Sequence, residues 1–127
     1  MEISPITEDD SCEYMNKLLQ LLTHATMRFR LSSVVVSRNR VIGSGVNSKK
    51  THPQFGVPPY YCLHAETAAI WDTMKKGNDP RGAVVYTIRD KLNCSRPCRG
   101  CQRKMREYGI KKCVFLDENK KFSCIYL

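Results

Sequence analysis

The chain has 127 residues, 42% of them hydrophobic and 26% charged, which fits one domain of about 100–200 residues, with no room for a second enzymatic one, and excludes wholesale disorder. Apolar runs such as Val34-Val35-Val36 are a few residues long, far short of the roughly 20 a bilayer span needs, and the acidic start MEISPITEDD lacks the apolar core of a secretory signal. A net charge of +9 points to an anionic partner, nucleic acid ahead of a membrane surface.

Residues 1–8 read as a loose leader. Thr7, three before Asp10, is a weak relative of a capping box. Tyr14, Leu18, Leu21, Leu22 and Ala25 recur at helical spacing and predict an amphipathic helix over about 10–26. Leu31 to Val36 predicts a strand, Arg38-Asn39 a turn, and Val41-Ile42-Gly43 opens a second strand. Residues 45–61, GVNSKKTHPQFGVPPYY, carry three prolines and two glycines and predict an ordered loop. Cys62 to Lys76 is alanine-rich, closed by Gly77, and predicts a helix. Ala83 to Ile88 reads as a buried strand and Arg89 to Arg96 as a polar loop. Pro97 stands where proline is favoured, at the start of a helix over Cys98 to Tyr108 that Gly109 ends. Lys112–Leu116 and Phe122–Leu127 are strands about a turn at 117–120.

This order predicts a single α/β domain over 1–127: a five-stranded mixed sheet with helices on both faces. The last turn is too short for a crossover, so strands 4 and 5 are expected to be antiparallel neighbours.

Seven cysteines in a chain without a secretory signal point to reduced thiols, some of them on a metal, and to an intracellular location, cytoplasmic or nuclear. Two short motifs stand out. His64-Ala65-Glu66 opens one predicted helix, and Pro97-Cys98-Arg99-Gly100-Cys101 opens another. Each alone is weak. Together they supply one imidazole and two thiolates, three of the four ligands of tetrahedral zinc, and leave one position open for water. A helix N-terminus favours the thiolates. Glu66 follows His64 by two residues, close to that open position without being a ligand. Cys62 or Cys94 as a fourth ligand would instead close a structural site. Cys12, Cys113 and Cys124 sit in apolar patterns and read as small core residues.

The paired motifs, H-x-E and P-C-x-x-C, are the signature of zinc deaminases that act on nucleobases. Over roughly 10–127 the chain resembles the cytidine/deoxycytidylate deaminase superfamily. The resemblance implies a three-layer α/β/α fold and a hydrolase of an amidine C–N bond, carrying one zinc ion per chain on His64, Cys98 and Cys101. It implies that zinc lowers the pKa of its water to roughly 7 and that hydroxide attacks C4 of cytosine. Glu66 then carries the proton to ring N3 and to the departing amine. Ala65 would offer its N–H to the base carbonyl, and Asn47 would touch sugar or base. There are departures: LNCSRPC stands where many relatives read T-x-E-P-C. The hairpin ending is similar to the cytidine deaminase branch, yet that branch usually has cysteine in place of His64.

Basic residues gather in the loops beside the motifs: Lys49, Lys50 and His52 in one, Arg89, Lys91, Arg96 and Arg99 around the other. A long basic rim suits a polynucleotide. The leading expectation is therefore cytosine in single-stranded DNA or RNA, with Lys50 and Arg96 on phosphate and Tyr61 stacking on a base. Free deoxycytidylate or cytidine is the alternative; adenosine in transfer RNA and a non-catalytic zinc module that binds nucleic acid follow. Arg103, Lys104 and Arg106 read as a solvated helix face. Self-association to a dimer or tetramer is expected by resemblance, and no membrane partner.

Overall fold

A computed structural model describes the backbone of residues 3–5 and 9–127 and the side chains from Tyr14 onward. In chain order the elements are β1 (Ile3–Pro5), α1 (Asp9–Leu22), β2 (Leu31–Ser37), β3 (Arg40–Val46), α2 (Ala65–Lys75), β4 (Val84–Arg89), α3 (Arg99–Glu107), β5 (Lys112–Leu116) and β6 (Phe122–Tyr126). A 3-10 turn, Asp90–Leu92, follows β4. Among the described residues no helix is long and apolar enough to cross a membrane.

The strands form one mixed sheet in the order β1-β6-β5-β4-β2-β3. β4 and β5 run parallel, with α3 carrying the chain between them; the other neighbours are antiparallel. Side chains alternate across the sheet. Val34, Val36, Ile88 and Val114 pack with Tyr14 and Leu18 of α1. Val35, Val85 and Cys113 pack on the opposite face, with Ile70 of α2 and Met105 of α3. The result is the expected three-layer α/β/α arrangement.

Four details differ from the reading of the sequence. The sheet has six strands, not five, because Ile3–Pro5 of the supposed leader pairs with β6. Three residues are too few for a periodic signal, but they cover an otherwise open sheet edge. The Thr7 capping relation and the side chain of Cys12 lie outside the described residues.

Counted in chain order, the fourth and fifth strands are therefore β4 and β5, and they are parallel, which corrects the expectation as numbered. The two strands on which it rested are the fifth and sixth, and these pair antiparallel.

The helices are also shorter than their apolar patterns. α1 ends at Leu22, where 3-10-type bonds such as His24 N–H to Leu21 O (2.9 Å) tighten the last turn. α2 begins only at Ala65.

Finally, β3 runs through Gly43 and on past Gly45, the expected start of the loop, to Val46. These glycines mark a close approach, not a turn. A Cβ on Gly45 would lie 2.6 Å from the Ala69 nitrogen and 2.8 Å from the Ala68 Cβ, because α2 lies directly on β3. Asp72 of α2 ties the same strand, accepting the Ser44 N–H at 2.9 Å. Gly45→Ala is expected to push α2 off the sheet and cost about 1–3 kcal/mol, read as a lower urea midpoint.

Candidate active site

The two motifs meet because two helices begin at one place. His64 is the N-cap of α2, with extended backbone (φ −87°, ψ 160°). Cys98 is the N-cap of α3 (φ −69°, ψ 167°), and its sulfur accepts the Cys101 N–H at 3.4 Å. Both helices turn their positive ends toward the cluster, which favours anionic sulfur. His64 Nδ1 lies 3.1 Å from Cys101 Sγ and 3.6 Å from Cys98 Sγ. The three donor atoms all lie within 4.8 Å of one another. Tetrahedral zinc, with bonds near 2.3 Å to sulfur and 2.0–2.1 Å to nitrogen, needs donors about 3.5–3.8 Å apart. The donor set fits that ion: the 3.6 Å between His64 and Cys98 already has this spacing, and the 3.1 Å between His64 and Cys101 is short of it by about 0.4 Å.

The charges of the cluster are coupled. Hydrogen bonds from the Cys101 thiol and from His64 lower the Cys98 thiol to about 4. The same bond to Cys98, reinforced by burial, pushes the Cys101 thiol up. The hydrogen bond to Cys98 also raises His64, against its own burial. One thiolate is thus ready for a cation, and a divalent ion would displace the remaining protons.

Glu66, in the first turn of α2, is 2% exposed. Its Oε1 is buried without a hydrogen-bond partner. Desolvation raises its pKa above the usual carboxylate range. A buried carboxyl with an unused oxygen is costly for a fold and useful for moving protons. Glu66 shares a cleft of about 250 Å³ with His64, Ala65, Cys98, Asn47 and Arg96. Asn47 also holds the cleft wall, accepting the Leu31 N–H at 2.8 Å and donating to the Phe29 carbonyl at 2.7 Å.

Lys50 and Tyr61 do not line this cleft. The chain between Thr51 and Cys62 closes on itself through a bridge, and this loop packs Phe55 and Val57 in the cluster that holds Cys101, with Val57 against Gly100, so it backs the zinc motif from outside the cleft. Tyr61, at φ 59°, lines a separate hollow with Thr51, His52 and Pro53. Cys62 is not helical, and among the described residues neither it nor Cys94 joins the donor cluster. It does line the cleft, as do Met27, Leu31, Ser48 and Leu63, none of which carries a chemical signal in the sequence. Cys113 and Cys124 are buried, as their apolar surroundings suggest.

The profile of the cytidine and deoxycytidylate deaminase zinc-binding region matches residues 8–117. The chain belongs to the cytidine and deoxycytidylate deaminase family. That makes it a zinc-dependent hydrolase, with one zinc ion fitting its His/Cys/Cys group. Solved structures share the fold. Cytidine deaminase from Burkholderia pseudomallei is 16% identical, with a TM-score of 0.70 over 95% of this chain and 93% of that one. The dCMP deaminase of cyanophage S-TIM5, in complex with dCMP and dUMP, is 18% identical, with a TM-score of 0.65 over 85% and 81%. A diaminohydroxyphosphoribosylaminopyrimidine deaminase/reductase from Thermotoga maritima is 30% identical over 77% of this chain but only 26% of its own, with a TM-score of 0.52. No curated protein matches significantly.

In this deaminase the loop carrying Cys98 is anchored by two residues that sequence reasoning passed over. Ser95 is buried where β4 and β5 part. Its hydroxyl donates to the Thr87 carbonyl at 3.0 Å and accepts the Leu116 N–H at 2.9 Å. Its own N–H bonds the Leu116 carbonyl at 2.9 Å. Gln102 donates from Nε2 to the Pro97 carbonyl at 2.8 Å. Ser95→Ala strands two buried backbone groups, and is expected to cost about 1–3 kcal/mol of stability. It should also weaken zinc binding roughly 10–100-fold, measured by competition with a chromogenic chelator.

Proposed function

We propose that this deaminase hydrolyses the exocyclic amine of a cytosine-type base, C to U with release of ammonia, and that its leading substrate is cytosine in single-stranded DNA or RNA. The observation that carries the deamination is Glu66: a buried carboxyl with a free Oε1, in the cleft wall beside the His/Cys/Cys group. A structural zinc module has no use for it. His64, Cys98 and Cys101 would hold the zinc. Bound there, zinc supplies Lewis acidity that makes water a nucleophile near neutral pH.

The chain's own residues do the rest. Glu66 accepts the proton of the attacking water at Oε1. It returns protons to ring N3 and to the amine, so that nitrogen leaves C4 as ammonia and the water oxygen becomes the C4 carbonyl. Its raised pKa suits a group that must both take and give a proton. The Ala65 N–H, at the start of α2, orients the base through its carbonyl. Asn47 holds the wall on which the sugar rests, and Arg96 reaches phosphate.

Free deoxycytidylate is a second reading. Arg96 is the one arginine or lysine among the described residues that line the cleft, which suits a single phosphate. The cyanophage dCMP deaminase supports it at the level of fold. Six described cysteines, all free, fit an intracellular, reducing setting. Exposed Tyr60, Tyr61 and Met74 support self-association to a dimer or tetramer.

The test offers the zinc-loaded protein deoxycytidylate, cytidine and cytosine-containing single-stranded oligonucleotides side by side. Oligonucleotide turnover that falls steeply with salt is expected. Turnover of the monomers alone would replace the polynucleotide reading with the second one.

A further inference from the structure

Segment 27–31 combines features that the chemistry at zinc does not use. Phe29 is a large apolar side chain left 55% exposed between two arginines. The Arg89 guanidinium carbon lies 4.8 Å from its ring centroid and that of Arg28 5.7 Å. Met27 and Leu31, on either side, line the cleft, as does Asn47, whose amide fixes the Phe29 carbonyl. Phe29 itself does not line the cleft. It stands on the rim beside it.

The rim is braced. The Asp90 N–H bonds the Arg30 carbonyl at 2.8 Å, and the Arg30 N–H bonds the Asp90 carboxylate at 3.3 Å. These bonds join the strip to the turn after β4. The joined segments bring Arg28, Arg30, Arg89 and Lys91 together against one acid, Asp90, which Arg89 meets at 3.7 Å. An open aromatic ring among guanidinium groups, on a fixed backbone next to a base-sized cleft, matches what a single-stranded nucleic acid needs. The ring offers a face for a base, and the cations offer partners for the phosphates on either side of it. A mononucleotide that fills the cleft has no second base to place there.

We infer that Phe29, with Arg28, Arg30 and Arg89, is a stacking surface for the nucleotide that flanks the target cytosine in a single-stranded polynucleotide. This rests on the polynucleotide reading above. Arg28 and Arg30 belong to neither basic loop singled out in the sequence, and they join Arg89 and Lys91 only through the fold.

The test measures kcat/KM of the zinc-loaded parent, Phe29→Ala and Phe29→Trp on matched DNA and RNA oligonucleotides. Each oligonucleotide carries one cytosine, and its flanking bases are either intact or removed singly as abasic sites. Phe29→Ala is expected to lose about tenfold on intact oligonucleotides, and Phe29→Trp to restore most of it. One abasic flank should cost the parent a similar factor and Phe29→Ala little. The sugar on which the pattern appears identifies the nucleic acid. If the parent turns over oligonucleotides but Phe29→Ala equals it, or the abasic loss is unchanged in that variant, the stacking surface is wrong and the polynucleotide reading stands. If the parent turns over deoxycytidylate but neither kind of oligonucleotide, that reading falls and the stacking surface with it.

Discussion

Glu66→Gln is expected to abolish deamination while leaving the folded, zinc-loaded protein intact. The two side chains have nearly the same shape, so the cleft is preserved. The amide cannot take a proton from water and pass it on. General acid–base groups typically contribute about 10²–10⁴-fold. Here one carboxyl serves every proton transfer, so a loss of roughly 10³-fold or more in kcat is expected. Zinc content should not change, because Glu66 is outside the donor cluster. Stability at neutral pH should hold, since the amide is isosteric and carries no charge to desolvate in this buried site. Ammonia release, metal analysis and thermal melts on one preparation separate these effects. Substantial turnover by Glu66→Gln would mean that another group moves the proton.

Withdrawing the metal is the second large perturbation. A chelator should remove turnover completely, and one zinc per chain should restore it. Cys98→Ala should not be rescued. Cys98 is exposed, so its loss leaves the core unchanged, yet it removes the thiolate that the His64 and Cys101 hydrogen bonds stabilise. The melting temperature should fall on chelation as well, because a ligand present at 1,000 times its Kd stabilises the folded state by about 4 kcal/mol. Since the donors bind as thiolates, zinc affinity should weaken as pH falls. Retention of one zinc by Cys98→Ala would show that the ligand set is different.

The sequence was most readable where chemistry and local structure coincide. His64 and Cys98 are N-caps, and the spacing of their motifs marks both the helix starts and the donor set. The short apolar run from Ala83 to Ile88 announced a strand buried on both faces, and Ala83 and Val85 pack on one side of it, Tyr86 and Ile88 on the other. Legibility failed where position depends on contacts distant in sequence. Ile3–Pro5 is a strand only because β6 offers it an edge. Gly45 reads as the start of a loop until α2 is seen to press on the strand there. Tyr61 was placed at the cleft by adjacency in sequence, but the Thr51–Cys62 bridge gathers 52–61 into a loop of its own; Lys50 accepts the N–H of cleft-lining Leu63 on its carbonyl without lining the cleft itself. Ser95 and Phe29 carry no motif; one matters through the gap between two strands, the other through a loop sixty residues away.

The central claim is that the His64/Cys98/Cys101 group and Glu66 together make a hydrolytic deaminase. Its most direct test follows ammonia and uracil product together, using protein that carries one zinc ion per chain and a panel of cytosine substrates. The account predicts equal amounts of the two products from at least one substrate, and neither from the chelated protein. A folded, zinc-loaded chain that releases no ammonia from any of them would contradict it.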